Sequence, residues 1–141
     1  QPTVASYLNP LLDKLQGRTD AVLAEQVLTS IADVPDERVP EVVLAYEPRW
    51  AIGGSEAATP EYVAARHRAL REIIRHRCGK DVADRTRIIY GGAVNADNGA
   101  ALIALPDVDG LFVGRAAWTP EGYARIVKLV HAAALRKAAQ A

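Results

Sequence analysis

Short apolar runs that stop at Glu-Pro or at glycine set what this chain can fold into. Val42-Val43-Leu44-Ala45-Tyr46 leads into Glu47-Pro48, Ile88-Ile89-Tyr90 into Gly91-Gly92, and the stretch from Val108 to Val113 into Gly114. Apolar segments of this length, bounded by proline or glycine, read as buried strands. The segments between them have helical spacing. Strands alternating with helices build parallel βαβ units, either doubly wound or closed into a barrel. No G-x-G-x-x-G follows the first strand, so the dinucleotide-binding version has little support.

The helices announce themselves at their starts. Thr59-Pro60-Glu61 supplies a capping hydroxyl, a proline for the first turn and an acid against the helix dipole. This predicts a helix to about Arg77, ended by Cys78-Gly79. Thr119-Pro120-Glu121 repeats the signature and opens a last helix through Ile126, Leu129 and Val130, with an Ala/Lys-rich end expected to fray. Another helix follows Gly17, capped by Thr19 or Asp20, with Val22, Leu23, Val27, Leu28 and Ile31 on its buried face. A short one is expected between Asn95 and Leu105, and a polar loop from Asp33 to Pro40. Arg66, Arg68, Arg71, Arg75 and Arg77 read as a solvated basic face. Pro2 to Leu8 reads as a possible strand, with a helical stripe of Leu11, Leu12 and Leu15 after it. Residues 1–16 leave that open.

The chemistry centres on Glu47. A carboxylate at a strand's carboxyl end stands where parallel α/β proteins place their sites. Pro48 stiffens the exit from the strand, Trp50 and Ile52 put apolar bulk on a loop, and Gly53-Gly54 permits a sharp turn. A rigid entry, an apolar middle and a glycine tip describe a loop that closes over something. A carboxylate so enclosed loses water and becomes a stronger base. A glutamate capping an ordinary turn fits the same residues.

The full series of motifs narrows this. Ala45-Tyr46-Glu47-Pro48-Arg49-Trp50-Ala51-Ile52-Gly53-Gly54 with Ala58-Thr59-Pro60-Glu61, then Ile88-Ile89-Tyr90-Gly91-Gly92-Ala93-Val94, then Asp109-Gly110-Leu111-Phe112-Val113-Gly114-Arg115-Ala116-Ala117-Trp118, closely resembles the C-terminal half of the triosephosphate isomerase family. The resemblance runs from about Val42 to the C-terminus. It implies an α/β fold of about four βα units, half of a TIM (β/α)8 barrel, so that 1–141 is a single partial domain with two open sheet edges. It also implies an aldose–ketose phosphate isomerase of glycolysis and gluconeogenesis, usually dimeric, with no cofactor and no metal. Glu47 takes the place of the family's base. Backbone amides at Gly53, Ala93, and Gly114 with Arg115 take the place of its phosphate cradle. Pro48, Trp50, Ile52 and Gly54 belong to the lid, and Tyr90 is expected to latch it by its hydroxyl.

Several positions depart from the family pattern. Ala93 stands where serine is usual, Arg115 replaces the second glycine of a pair, and Arg49 replaces a valine. Glu56-Ala57-Ala58 stands where lysine-threonine-alanine is usual. The Gly114-to-Trp118 ending resembles a subgroup that includes erythrulose-phosphate isomerases. A four-carbon ketose phosphate is therefore an alternative substrate to glyceraldehyde 3-phosphate, and a non-catalytic half-barrel that self-associates is a third reading. The family's electrophilic histidine and its lysine lie in the other half. His67, His76 and His131 fall on expected helices and read as surface or helix-end residues. Activity then requires an N-terminal half or a second copy of the chain as partner.

Composition sets the remaining bounds. Seventeen acidic residues balance seventeen basic ones, which argues against nucleic acid or an anionic membrane as partner. No apolar run approaches a bilayer-spanning length. The single cysteine, Cys78, reads as a packing residue near a helix end and fits a cytoplasmic setting. The chain begins at Gln1 and contains no Met, so an upstream stretch is expected.

Overall fold

The computed structural model describes residues 3–9, 17–52 and 57–139. Its strands are β1 (Thr3–Asn9), β2 (Val42–Pro48), β3 (Arg87–Tyr90) and β4 (Gly110–Leu111). Its helices are α1 (Thr19–Ser30), α2 (Pro60–Cys78), α3 (Lys80–Arg85), α4 (Gly99–Ile103) and α5 (Pro120–Ala138). The strands form one four-stranded sheet in the order β1-β2-β3-β4, every neighbour parallel. A doubly wound sheet reverses its order at a switch point. This sheet never reverses, and it is one side of a TIM barrel.

Burial on both faces explains the unbroken apolar run of β2. Leu44, Ala45 and Tyr46 are all buried although they point alternately to opposite faces. The core continues through Leu23 and Val27 of α1 with Ile31 just past its end, Val63, Leu70 and Ile74 of α2, and Ile88 and Tyr90 of β3. Thr3–Asn9 is a strand, in register with β2 from Thr3 opposite Val42 to Asn9 opposite Pro48. Leu11, Leu12, Leu15, Gly53, Gly54 and Glu56 lie outside the described residues.

The two threonine caps form as expected. Thr59 Oγ1 accepts from the Tyr62 N–H at 3.3 Å, and Thr119 Oγ1 from the Gly122 N–H at 3.1 Å. Gly79 ends α2 at φ 89°, a conformation that favours glycine, and Cys78 packs half-buried beside it.

Other expectations need correction. Neither Thr19 nor Asp20 caps α1, which begins at Thr19 after Arg18 with no side-chain cap bond. Leu28 stands 41% exposed, because the buried stripe of α1 is the narrower Leu23-Val27-Ile31 line. The polar loop before β2 contains a 3₁₀ turn, Asp36–Glu41, which buries Val39. A short extra helix, α3, precedes β3, and α4 is only five residues long. The end of α5 is tied down, since Lys137 Nζ donates to the carbonyls of Leu105 at 2.5 Å and Val108 at 2.8 Å.

Arg71 leaves the expected solvated face entirely. It is buried, and its guanidinium donates to Asp107 Oδ1 at 3.0 Å, Asp109 Oδ2 at 2.6 Å, and the Ala83 and Thr86 carbonyls at 2.6 and 2.8 Å. Asp109 Oδ2 also accepts the Ile88 N–H at 2.8 Å. One side chain thereby joins α2, the end of α3, the start of β3 and the approach to β4. Of the other four arginines, Arg66 pairs with Asp20, Arg75 with Glu72 and Asp84, and Arg77 with Asp36.

Candidate active site at the carboxyl ends of the strands

β2 delivers Glu47 half-buried at its carboxyl end, with Pro48 buried behind it. The neighbouring strand explains how the carboxylate fits. A Cβ on Gly91 would lie 2.9 Å from Glu47 Cγ, 3.2 Å from Glu47 Oε1 and 3.2 Å from Phe112 Cβ. The Glu47 side chain thus lies across the Gly91 backbone, and any larger residue there would push it aside. The turn is fixed to β2 by the Gly91 N–H, which donates to the Tyr46 carbonyl at 2.9 Å.

The second glycine of the pair answers to a different side chain. A Cβ on Gly92 would come 2.1 Å from the Tyr90 hydroxyl oxygen. Tyr90 is buried, its ring packed against Tyr46 and His67, and burial pushes its hydroxyl pKa up to about 12. It is therefore a neutral donor lying beside the turn. Tyr46 is shifted upward as well, by burial first and then by its hydrogen bond to the Tyr62 hydroxyl at 3.3 Å.

Past Gly92 opens a cleft of about 410 Å³ lined by Ile52, Gly92–Asn95, Gly114–Ala116 and Trp118. Ala93, Gly114 and Arg115 all lie on it. The N–H groups of Gly92, Ala93, Gly114 and Arg115 find no backbone acceptor among the described residues. Amides of this kind, gathered on two turns, can receive an anion. Among the described residues an added Cβ on Gly114 meets nothing within 4 Å, which leaves room for a ligand at this backbone.

Two asparagines that the motif reading passed over build the first of these turns. Asn95 Oδ1 accepts from the Asp97 and Asn98 N–H groups at 2.8 and 3.1 Å, and Asn98 Oδ1 accepts from the Asn95 N–H at 2.9 Å. Asn98 Nδ2 also donates to the Ala93 carbonyl at 2.6 Å, fixing the strand-to-helix loop beside the cleft. Two such residues three apart, just before a short helix, are a turn signal that could have been read.

The stretch just after Pro48 is divided in role. Arg49–Ala51 forms a 3₁₀ turn that packs Trp50 edge-on against Tyr62 of α2, with ring centroids 5.3 Å apart. Ile52 stands 45% exposed and reaches the cleft, and Arg49 points to solvent. Gly53 and Gly54 fall outside the described residues.

The reading of His67 as a surface group is wrong. It is fully buried, its rings' neighbours are Tyr46 and Tyr90, and its Nδ1–H donates to the Asp107 carbonyl at 3.1 Å. Desolvation lowers its pKa to about 4, so it is neutral near pH 7. His76 and His131 are exposed, and none of the three lines the cleft. Among the described residues no three His, Cys, Asp or Glu side chains gather as a metal site, and no helix is long and apolar enough to cross a membrane.

A sequentially ordered parallel sheet, carrying a carboxylate and an amide-lined cleft at its carboxyl edge, defines part of a TIM-barrel protein. The particular family follows from comparison: residues 8–130 match the family model "Triosephosphate isomerase", and the chain belongs to that family. The chain is 47% identical over 117 residues to "Triosephosphate isomerase" of Solibacter usitatus (strain Ellin6076), covering 83% of this chain and 47% of that protein. It is 43% identical over 125 residues to "L-erythrulose-1-phosphate isomerase" of Rhizobium etli, covering 87% of this chain and 45% of that protein. Another triosephosphate isomerase, from Roseiflexus sp. (strain RS-1), is 39% identical over 111 residues, or 79% and 44% of the two chains. The chain spans about half the length of the curated relatives it matches.

Proposed function

We propose that this chain carries the base and the phosphate cradle of an aldose–ketose phosphate isomerase, with glyceraldehyde 3-phosphate and dihydroxyacetone phosphate as its substrates. The observation that carries the reading is the Glu47 side chain lying across Gly91, one residue from the amide-lined cleft. A phosphate held by the Gly92–Ala93 and Gly114–Arg115 amides places the substrate's carbon chain toward Glu47. The carboxylate takes a proton from the carbon next to the carbonyl, leaving an enediolate and a protonated Glu47. Returning that proton to the neighbouring carbon, while a hydroxyl proton moves between the two oxygens, completes the exchange of aldose for ketose. No net proton or electron is consumed.

Ile52 at the mouth of the cleft belongs to the loop that would close as a lid and exclude water during the transfer. The neutral Tyr90 hydroxyl, which lies beside Gly92, would latch that lid. The enediolate oxygen needs a donor, a contribution commonly worth about 10²–10³ in rate. No histidine of this chain lines the cleft, so the donor comes from the other half of a barrel. In this reading the chain works with an N-terminal half, and by itself is nearly inactive.

A second reading has its own support. The relative named an L-erythrulose-1-phosphate isomerase matches about as well as the triose enzymes, and Ala93, Arg115 and Trp118 alter the cleft's rim. The test is to mix this chain with a separately produced N-terminal half of the Solibacter usitatus relative and assay both substrates. Turnover of glyceraldehyde 3-phosphate is the expected result, and turnover of erythrulose phosphate alone would transfer the assignment to the four-carbon sugar. A mixture shown to form a complex, yet silent on both, would overturn the isomerase reading.

A further inference from the structure

Among the described residues that line the cleft, Arg115 is the one that is charged, and none is a carboxylate. Its guanidinium makes no hydrogen bond or ion pair with any described residue, whereas Arg66, Arg71, Arg75 and Arg77 are each paired with acids. The wall beside it is apolar, formed by Ile52 and by Trp118, which is 78% exposed. A lone cation against low-dielectric walls concentrates positive potential inside the cleft. A guanidinium also presents a rigid fork of N–H donors that matches two phosphate oxygens at once.

We infer that Arg115 reads the substrate's phosphate with its side chain, so that this cleft selects dianionic phosphomonoesters by charge and fork in addition to backbone amides. The inference rests on the phosphate-cradle reading above and deepens it. The amides of Ala93 and Gly114 would receive a tetrahedral anion through partial charges only. Arg115 adds a strong preference for the doubly charged form. It also gives the chain an anion grip that does not wait for the lid.

The experiment is titration of the 141-residue chain with inorganic phosphate, following the backbone amide resonances of Ala93, Gly114 and Arg115. Arg115→Gln, Arg115→Lys and the exposed control Arg125→Gln are titrated in parallel. Wild type should shift at all three amides, more tightly at pH 8 than at pH 6, where the monoanion gains population. Arg115→Gln should weaken binding at least about tenfold and lose most of the pH preference. Arg115→Lys should recover part of it, keeping the charge without the fork, and Arg125→Gln should match wild type. If Arg115→Gln binds as wild type does, the backbone alone holds phosphate, and this inference falls while the cradle stands. If phosphate leaves the wild-type Ala93 and Gly114 amides unmoved, the cradle itself is wrong and the inference falls with it.

Discussion

The Gly91-Gly92 pair shows how two identical residues answer to different demands. At Gly91 the atoms in the way belong mainly to the Glu47 side chain, which can swing aside. Gly91→Ala should therefore leave the denaturation midpoint nearly unchanged. It should lower kcat of the reconstituted enzyme by about 10²-fold, since a displacement near 1 Å is enough for that. At Gly92 the obstacle is Tyr90, locked among Tyr46 and His67, so Gly92→Ala should cost about 1–3 kcal/mol of stability. His67 sets a pH dependence. Its native pKa of about 4 lies below the ordinary 6.5, so its contribution is complete above pH 6.5 and is lost as pH falls toward 4. Urea unfolding across that window should show a loss on the order of 3 kcal/mol, which His67→Phe removes. A glycine pair after a strand is legible as a turn from sequence. Which side chains make it obligatory was not, because Glu47 lies on another strand and the Tyr90 hydroxyl returns from within the core. His67 was misread for a related reason, since helical spacing alone does not say that Asp107 closes over the inner face of α2.

Among the elements, the two long helices are the parts best specified locally. Thr59→Ala removes the acceptor for the Tyr62 N–H and should cost about 1 kcal/mol, read as a lowered urea midpoint. Arg71 works on a larger scale, holding α2, α3, β3 and the approach to β4 at once. Arg71→Ala leaves Asp107 and Asp109 beside a gap and should cost about 3 kcal/mol in the same measurement. Arg71→Lys should recover only part of it, because one ammonium cannot follow the four directions of the fork. The capping threonines were legible because a cap is a contact between residues three apart. Arg71 and Lys137 were not, because Asp109 lies 38 residues from the one and Val108 29 from the other, and the sequence shows each only as another charge on a helix. α3 and the 3₁₀ turn at Asp36–Glu41 escaped notice because segments of six residues carry too little periodicity to separate from loop.

For the whole molecule, the constraint is the sheet's two edges. β1 and β4 each pair on one side within this chain, and β4 is only two residues long. Apolar groups gather near that edge, with Phe112, Tyr123 and Val127 exposed and Leu111 and Val130 lining a further cleft of about 440 Å³. An eight-stranded barrel would cover them with its opposite half, which accords with relatives about twice the length of this chain. At this scale Glu47 and the amide-lined cleft stand together at the carboxyl ends of the strands, and the Glu-Pro and glycine motifs that end those strands are what made the place legible. The missing electrophile could be inferred from resemblance alone.

The central claim is that Glu47 moves the proton. Its most direct test is the isomerase activity of this chain completed by an N-terminal half, measured for wild type and Glu47→Gln with phosphate binding followed in both. The account predicts a loss of at least about 10³-fold in kcat for Glu47→Gln, with phosphate still shifting the Ala93 and Gly114 amides. Activity within tenfold of wild type would contradict it and move the base to another residue.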